Sequence, residues 1–123
     1  MIDEQAYSHI EDIRFRRDKA HRTLLKKSPV YKAFTEMESL TFQDGELSKK
    51  IKELIAIGIS ISINCESCME WHIRQALKSG ASEAEIMEAV GTAIEMGGGP
   101  ATANSRFALD VIQYYKEAYE RGF

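Results

Sequence analysis

This sequence predicts an all-α fold, and three observations carry that expectation. Apolar residues recur at helical spacing in segment after segment, and capping residues stand at the start of several of those segments. The one stretch that alternates like a strand has no second stretch to pair with. About six helices account for the chain, packed helix on helix.

The elements follow in order. Residues 3 to 26 set Tyr7, Ile10, Ile13, Ala20 and Leu24 along one stripe of a long amphipathic helix. In SPVYKAF, Ser28 suits an N-cap and Pro29 the first helical position, where its missing N–H is no loss. Asp44 and Gly45 in QDGE signal a turn, so the second helix should end before them.

The next segment is ambiguous. Ile55, Ile57, Ile59, Ile61 and Ile63 alternate with small residues, a strand signal when taken alone. SKKIKELIAIG, however, opens with a capping serine and good helix formers. The segment is therefore expected to be a helix from 48 to 63, buried with apolar residues all round. Ala56, Gly58, Ser60 and Ser62 would then permit close backbone approach.

From Cys65 to Ser79, the spacing of Met69, Ile73 and Leu77 predicts a helix closed by Gly80. Ser82 and Glu85 form a capping box ahead of Ile86, Val90 and Ile94. GGGP is a break, and Pro100 opens a last helix with an apolar side of Phe107, Val111, Tyr114, Ala118 and Tyr119.

With 123 residues, no internal repeat and no linker, residues 1–123 read as a single domain. A hydrophobic fraction of 44% beside 28% charged residues argues for a soluble globular protein and against disorder. The net charge of −3 offers no general attraction to nucleic acid or anionic membrane, so neither is an expected partner. No apolar leader and no window of roughly eighteen apolar residues is present, which makes the expected location cytoplasmic. In that reducing setting, two closely spaced cysteines favour catalysis or metal binding over a structural bridge.

Those cysteines lie in NCESCMEWHIRQ. On a helix turning about 100° per residue, Cys68 falls about 60° and His72 about 20° from Cys65, so all three share a face. Cys68 and His72 are one turn apart, within reach for the imidazole to take the thiol proton. The thiolate gains from the imidazolium and from the helix N-terminus. Cys65, at the helix end, is placed to meet an incoming thiol or disulfide, and the pair suits two-electron chemistry with one attacking and one resolving sulfur.

Three readings of the residues stay open. The first is a redox dithiol. A metal site is the second, although no other Cys/His pair completes a tetrahedral zinc set. In the third, both cysteines are small buried hydrophobes and His72 a satisfied core histidine.

The stretch KELIAIGISISINCESCMEWHIRQALKSGASEAEIMEAV resembles the core of the carboxymuconolactone decarboxylase and AhpD-like alkylhydroperoxidase family. Its redox members carry a glutamate, then C-x-x-C, then three residues and a histidine. Glu53, twelve positions before Cys65, with Cys65, Cys68 and His72, matches that pattern without a gap. The resemblance covers residues 47 to 96 and implies an AhpD-like helical domain assembled as a homo-oligomer, a trimer or hexamer. It also implies that the isoleucine run is helix.

Carried over residue by residue, the resemblance makes Cys68 the attacking thiol and Cys65 its disulfide partner. His72 and Glu53 become a proton relay, and neither cofactor nor metal is implied. Without the motif, Glu53 among lysines reads as a solvated charge. One departure stands out: some peroxidase members have a second histidine just before the second cysteine, where this chain has Ser67. The implied activity is a thiol-dependent oxidoreductase that reduces a small peroxide or disulfide and is regenerated by a dithiol donor. Its rivals are a decarboxylase-like lyase, whose members generally lack the cysteine pair, and a non-catalytic oligomeric binding or metal protein.

Other signals read as structural. RFRRDKAHR with Lys26 and Lys27 is interleaved with acids, which predicts a solvated or intersubunit face rather than a phosphate site. His9 and His21 are expected at the surface. GGGP lacks the lysine of a phosphate loop. Trp71 is expected in core packing, with a wall of the site or a subunit contact as the alternatives, and Met37, Met69, Met87 and Met96 as gap-fillers.

Overall fold

The computed structural model describes residues 1–122. Five helical elements follow one another: α1 (Glu4–Lys27), α2 (Pro29–Thr41), α3 (Lys49–Ser62), α4 (Glu66–Lys78) and α5 (Glu83–Glu120). No strand occurs among the described residues. Gly98, at φ 66° and ψ −142°, interrupts α5 two residues before Pro100. That backbone region suits only glycine, so α5 is two helices joined at a kink, which makes the expected six.

The caps sit where serine and aspartate allow them. Side-chain oxygens of Asp3, Ser28, Ser48 and Ser82 accept the N–H of Ala6, Tyr31, Ile51 and Glu85, and Ser82 with Glu85 completes the capping box. Each such cap stabilises its helix by about 1 kcal/mol.

The core lies where α3, α4 and α5 meet. Ile57 and Ile61 of α3 pack with Met69 and Ile73 of α4 and with Ile86 and Val111 of α5, all buried. Truncating one such side chain to alanine costs about 2–5 kcal/mol, because the neighbours only partly close the hole. α1 joins this core through buried Ile10, and α2 packs mainly on α1, with no buried residue of its own.

Several expectations need correction. Helix α3 is apolar on more than one side but is not buried all round within this chain: Ile51, Ile55, Ile59 and Ile63 are between 42% and 65% exposed. The alternating isoleucines are two interleaved stripes of i, i+4 spacing, Ile57 and Ile61 facing inward while Ile55, Ile59 and Ile63 face outward. A Cβ on Gly58 would meet Ala89 O at an ordinary 3.8 Å, so no close backbone approach requires glycine there.

On α1 the stripe holds at Ile10 and Ile13, while Ala20 and Leu24 are exposed. The neighbour of the later turns is α2, which meets them at His21 and Tyr31 and leaves the rest open. Met69 is buried, but Met37, Met87 and Met96 are exposed and fill no gap. Tyr119 is also outside the core, unlike Phe107, Val111, Tyr114 and Ala118. Among the described residues no helix is long and apolar enough to cross a membrane.

Candidate functional site

The site begins at the junction of α3 and α4. Asn64 adopts φ 54°, a left-handed conformation its short polar side chain tolerates, and this reverses the chain. Two bonds brace the turn: Cys65 N–H donates to Ser60 O at 3.0 Å, and Asn104 Nδ2 donates to Ile61 O at 2.9 Å.

Cys65 is therefore the N-cap of α4, at φ −98° and ψ 99°, rather than a residue of its first turn. Its Sγ accepts the Cys68 N–H at 3.1 Å. Cys65 and Cys68 are joined as a disulfide, their Cα atoms 5.2 Å apart. Both sulfurs sit at the positive end of a helix, a location that favours a thiolate once the bond opens.

One turn beyond Cys68, His72 presents Nδ1 to Glu53 Oε1 at 2.7 Å. Glu53 is only 1% exposed, so it is not the solvated charge that its lysine neighbours suggest. Its other oxygen pairs with Lys49, one turn back on α3. An ionised carboxylate only accepts, so Glu53 receives the Nδ1–H and leaves Nε2 of a neutral His72 as a proton acceptor. Phe42, the C-cap of α2, stacks on the imidazole with ring centroids 5.1 Å apart, and Lys49 lies 5.7 Å from the Phe42 centroid. The loop carrying Phe42 is tied to α3, as Lys49 N–H donates to Asp44 Oδ1 and Lys52 to Gln43 O, both at 2.7 Å.

Cys68 and His72 line one cleft of about 330 Å³ between α1, α2 and α4. Its apolar walls are Tyr31, Phe34 and Trp71; Arg17 and His21 reach it from α1. The cysteine on this opening is Cys68, not Cys65 as its helix-end position suggests. Trp71 walls the cleft and is only partly buried, with the Arg17 guanidinium 5.3 Å from its ring centroid. His21 is partly buried, its Nδ1 2.7 Å from the Tyr31 hydroxyl, while His9 is exposed as expected.

Beneath the cleft is a charge that the sequence does not announce. Glu70 has no exposed surface and is held by the Arg17 guanidinium and the Tyr115 hydroxyl. Burial and the facing Glu70 push the Tyr115 hydroxyl well above the usual tyrosine range, so it stays protonated and donates. Arg17 is thus no solvated member of a basic run. Among the described residues, no three His, Cys, Asp or Glu side chains are grouped so as to hold a metal ion.

The sequence model of the carboxymuconolactone decarboxylase family matches residues 28–110. The chain belongs to that family. The match takes in α2, α3, α4 and much of α5, and leaves α1 outside it.

Two solved family members share the fold. One, from Legionella pneumophila, is 29% identical with a TM-score of 0.71, over 90% of this chain and 95% of that one. The other, from Thermotoga maritima, is 25% identical with a TM-score of 0.83, again over 90% and 95%; a part in the antioxidative response has been suggested for it. A protein of Paracoccus denitrificans called uncharacterized protein 4 in cox locus is 39% identical over 80 residues, 65% of this chain and 72% of its own length.

Proposed function

We propose that this family member is a thiol-dependent oxidoreductase that reduces a hydroperoxide or disulfide through the Cys65/Cys68 pair. The observation that carries this reading is that His72, held by buried Glu53, lines the same cleft as Cys68, with Cys65 joined to Cys68. The suggested antioxidative role of the Thermotoga maritima protein is consistent with it.

In the reduced form, His72 Nε2 takes the Cys68 proton, and the thiolate attacks the outer oxygen of the hydroperoxide. The O–O bond breaks, the alkoxide collects the proton from His72 and leaves as an alcohol, and Cys68 becomes a sulfenic acid. Cys65 then attacks the Cys68 sulfur and expels water, which closes the disulfide. A dithiol donor returns two electrons and two protons and is itself oxidised. Glu53 holds the imidazole in the tautomer this needs, and its other oxygen is paired with Lys49. With Ser67 in place of a second histidine, His72 carries the proton transfer alone.

The outward isoleucines of α3, together with Val30, Phe34, Met37 and Leu40 of α2, are large apolar side chains left exposed in one chain, the kind of surface that interfaces cover. We assign these faces to contacts between copies in a homo-oligomer. The chain as a whole is taken as one domain working in that assembly.

The family name also favours a lyase reading, in which His72 and Glu53 act as acid and base without the cysteines. Turnover of cumene hydroperoxide with dithiothreitol separates the two. The dithiol reading expects activity that the double Cys65→Ser, Cys68→Ser variant lacks. Decarboxylation of a lactone acid that survives in this double variant would instead favour the lyase.

A further inference from the structure

We propose that Arg17 is a positioning residue for the redox pair, clamping the peptide between the two cysteines from α1 and setting how readily the disulfide is reduced. This inference rests on the dithiol reading above.

The residues between Cys65 and Cys68 are Glu66 and Ser67, and α1 holds both. His9 Nε2 lies 2.9 Å from Glu66 Oε1. Arg17 Nη2 donates to Ser67 O at 2.7 Å and to Ser67 Oγ at 3.0 Å, while its Nη1 donates to buried Glu70. A guanidinium is a rigid planar fork, so one side chain bridges the C-x-x-C turn to a carboxylate nearly one helical turn further along α4.

Glu70 is in turn fixed by Tyr115 of α5, so the fork is anchored to the core. Trp71 lies against the same guanidinium. The side chain just ahead of the second cysteine is thereby taken up, and the guanidinium lines the same cleft as Cys68, whereas the carboxylate it pairs with is fully buried.

Two consequences follow. The charge favours the Cys68 thiolate, and thus the reduced pair, over the neutral disulfide. The bonds to Ser67 also hold the turn in place when the sulfurs part, which keeps the Cys68 thiolate at the helix N-terminus and near that charge. Because α1 lies outside the residues matched by the family model, this control is supplied by a segment beyond that match.

The test compares the wild type with Arg17→Met/Glu70→Gln, which removes both charges of the buried pair together, so that neither charge is left alone. Each protein is equilibrated with mixtures of reduced and oxidised dithiothreitol, and the thiolate is titrated by its ultraviolet absorbance. The double variant should show about a tenfold lower equilibrium constant for reduction, about 30 mV in a two-electron potential, with thiolate formation shifted to higher pH. A folded double variant with the wild-type constant and titration overturns the proposal.

Should that variant not fold, Arg17→Lys decides. An ammonium keeps the charge but cannot bridge Ser67 and Glu70 as a fork. About a threefold lower constant, smaller than the tenfold step, supports the clamp, and an unchanged constant overturns it. If the wild-type pair does not exchange with dithiothreitol at all, the dithiol reading itself fails. If the wild type exchanges and the variants coincide with it, only the role of Arg17 fails.

Discussion

Glu53 Oε1 and His72 Nδ1 are 2.7 Å apart, although 19 residues and the α3–α4 turn separate them. Neither residue is placed by its own helix alone. Glu53 sits on the inward side of α3 with Ile57, and His72 on the face of α4 that turns toward α2 and the cleft. The contact selects one imidazole tautomer.

Replacing Glu53 with Gln keeps the shape and removes the charge that holds this tautomer. The rate of hydroperoxide-dependent dithiothreitol oxidation, as kcat/KM, should fall about 100-fold, at the lower end of what general acid–base catalysis contributes. An unchanged rate would remove Glu53 from the relay.

The two cysteines should fail differently. Cys68→Ser abolishes peroxide consumption. Cys65→Ser leaves a thiol that reacts with one equivalent of peroxide and then stops as a sulfenic acid, which dimedone trapping detects by mass. Equal behaviour of the two variants would show that the roles of attacking and resolving sulfur are wrongly assigned.

The capping box gives α5 a pH-dependent element. The Ser82 backbone N–H, followed by Lys50, lowers the pKa of Glu85 below the ordinary carboxylate range. A depressed folded-state pKa means the stabilisation is complete above the unfolded-state pKa and is lost as pH falls through the folded one. Thermal unfolding of Glu85→Gln should therefore lie below wild type at neutral pH, with the gap closing in acid. A gap that persists at low pH would point to the amide's geometry rather than to charge. Ser82→Ala, which removes the other half of the box, should cost about 1 kcal/mol at neutral pH.

The outward stripe of α3 tests the assembly. Ile55→Asp/Ile59→Asp places two charges on a face that is about half exposed in one chain. Light scattering should show the wild type as an oligomer and this variant as a smaller species with its helix content kept. A wild type that is monomeric at working concentration contradicts the proposed interface.

What the sequence makes legible follows from range. Helix spacing is local, so the shared face of Cys68 and His72 and the capping box at Ser82 can be read from neighbouring letters. Glu53 needs the family pattern, because its partner comes from another helix. Arg17 is invisible for the same reason carried further: its bond to Ser67 spans 50 positions, and a basic residue on an amphipathic helix gives no sign of which surface the helix will cross. Glu70 hides between Met69 and Trp71, where one acid in a helix ordinarily faces water. The isoleucine run shows the converse limit, since its alternation is one period of two stripes whose faces only the packing separates.

The most direct test of the central claim is a free-thiol count on reduced protein before and after one equivalent of hydroperoxide, with intact-mass analysis. The dithiol account predicts that both thiols disappear together and that the mass falls by two hydrogens, with a Cys65–Cys68 link in the peptide map. Two thiols that survive the peroxide unchanged would contradict it.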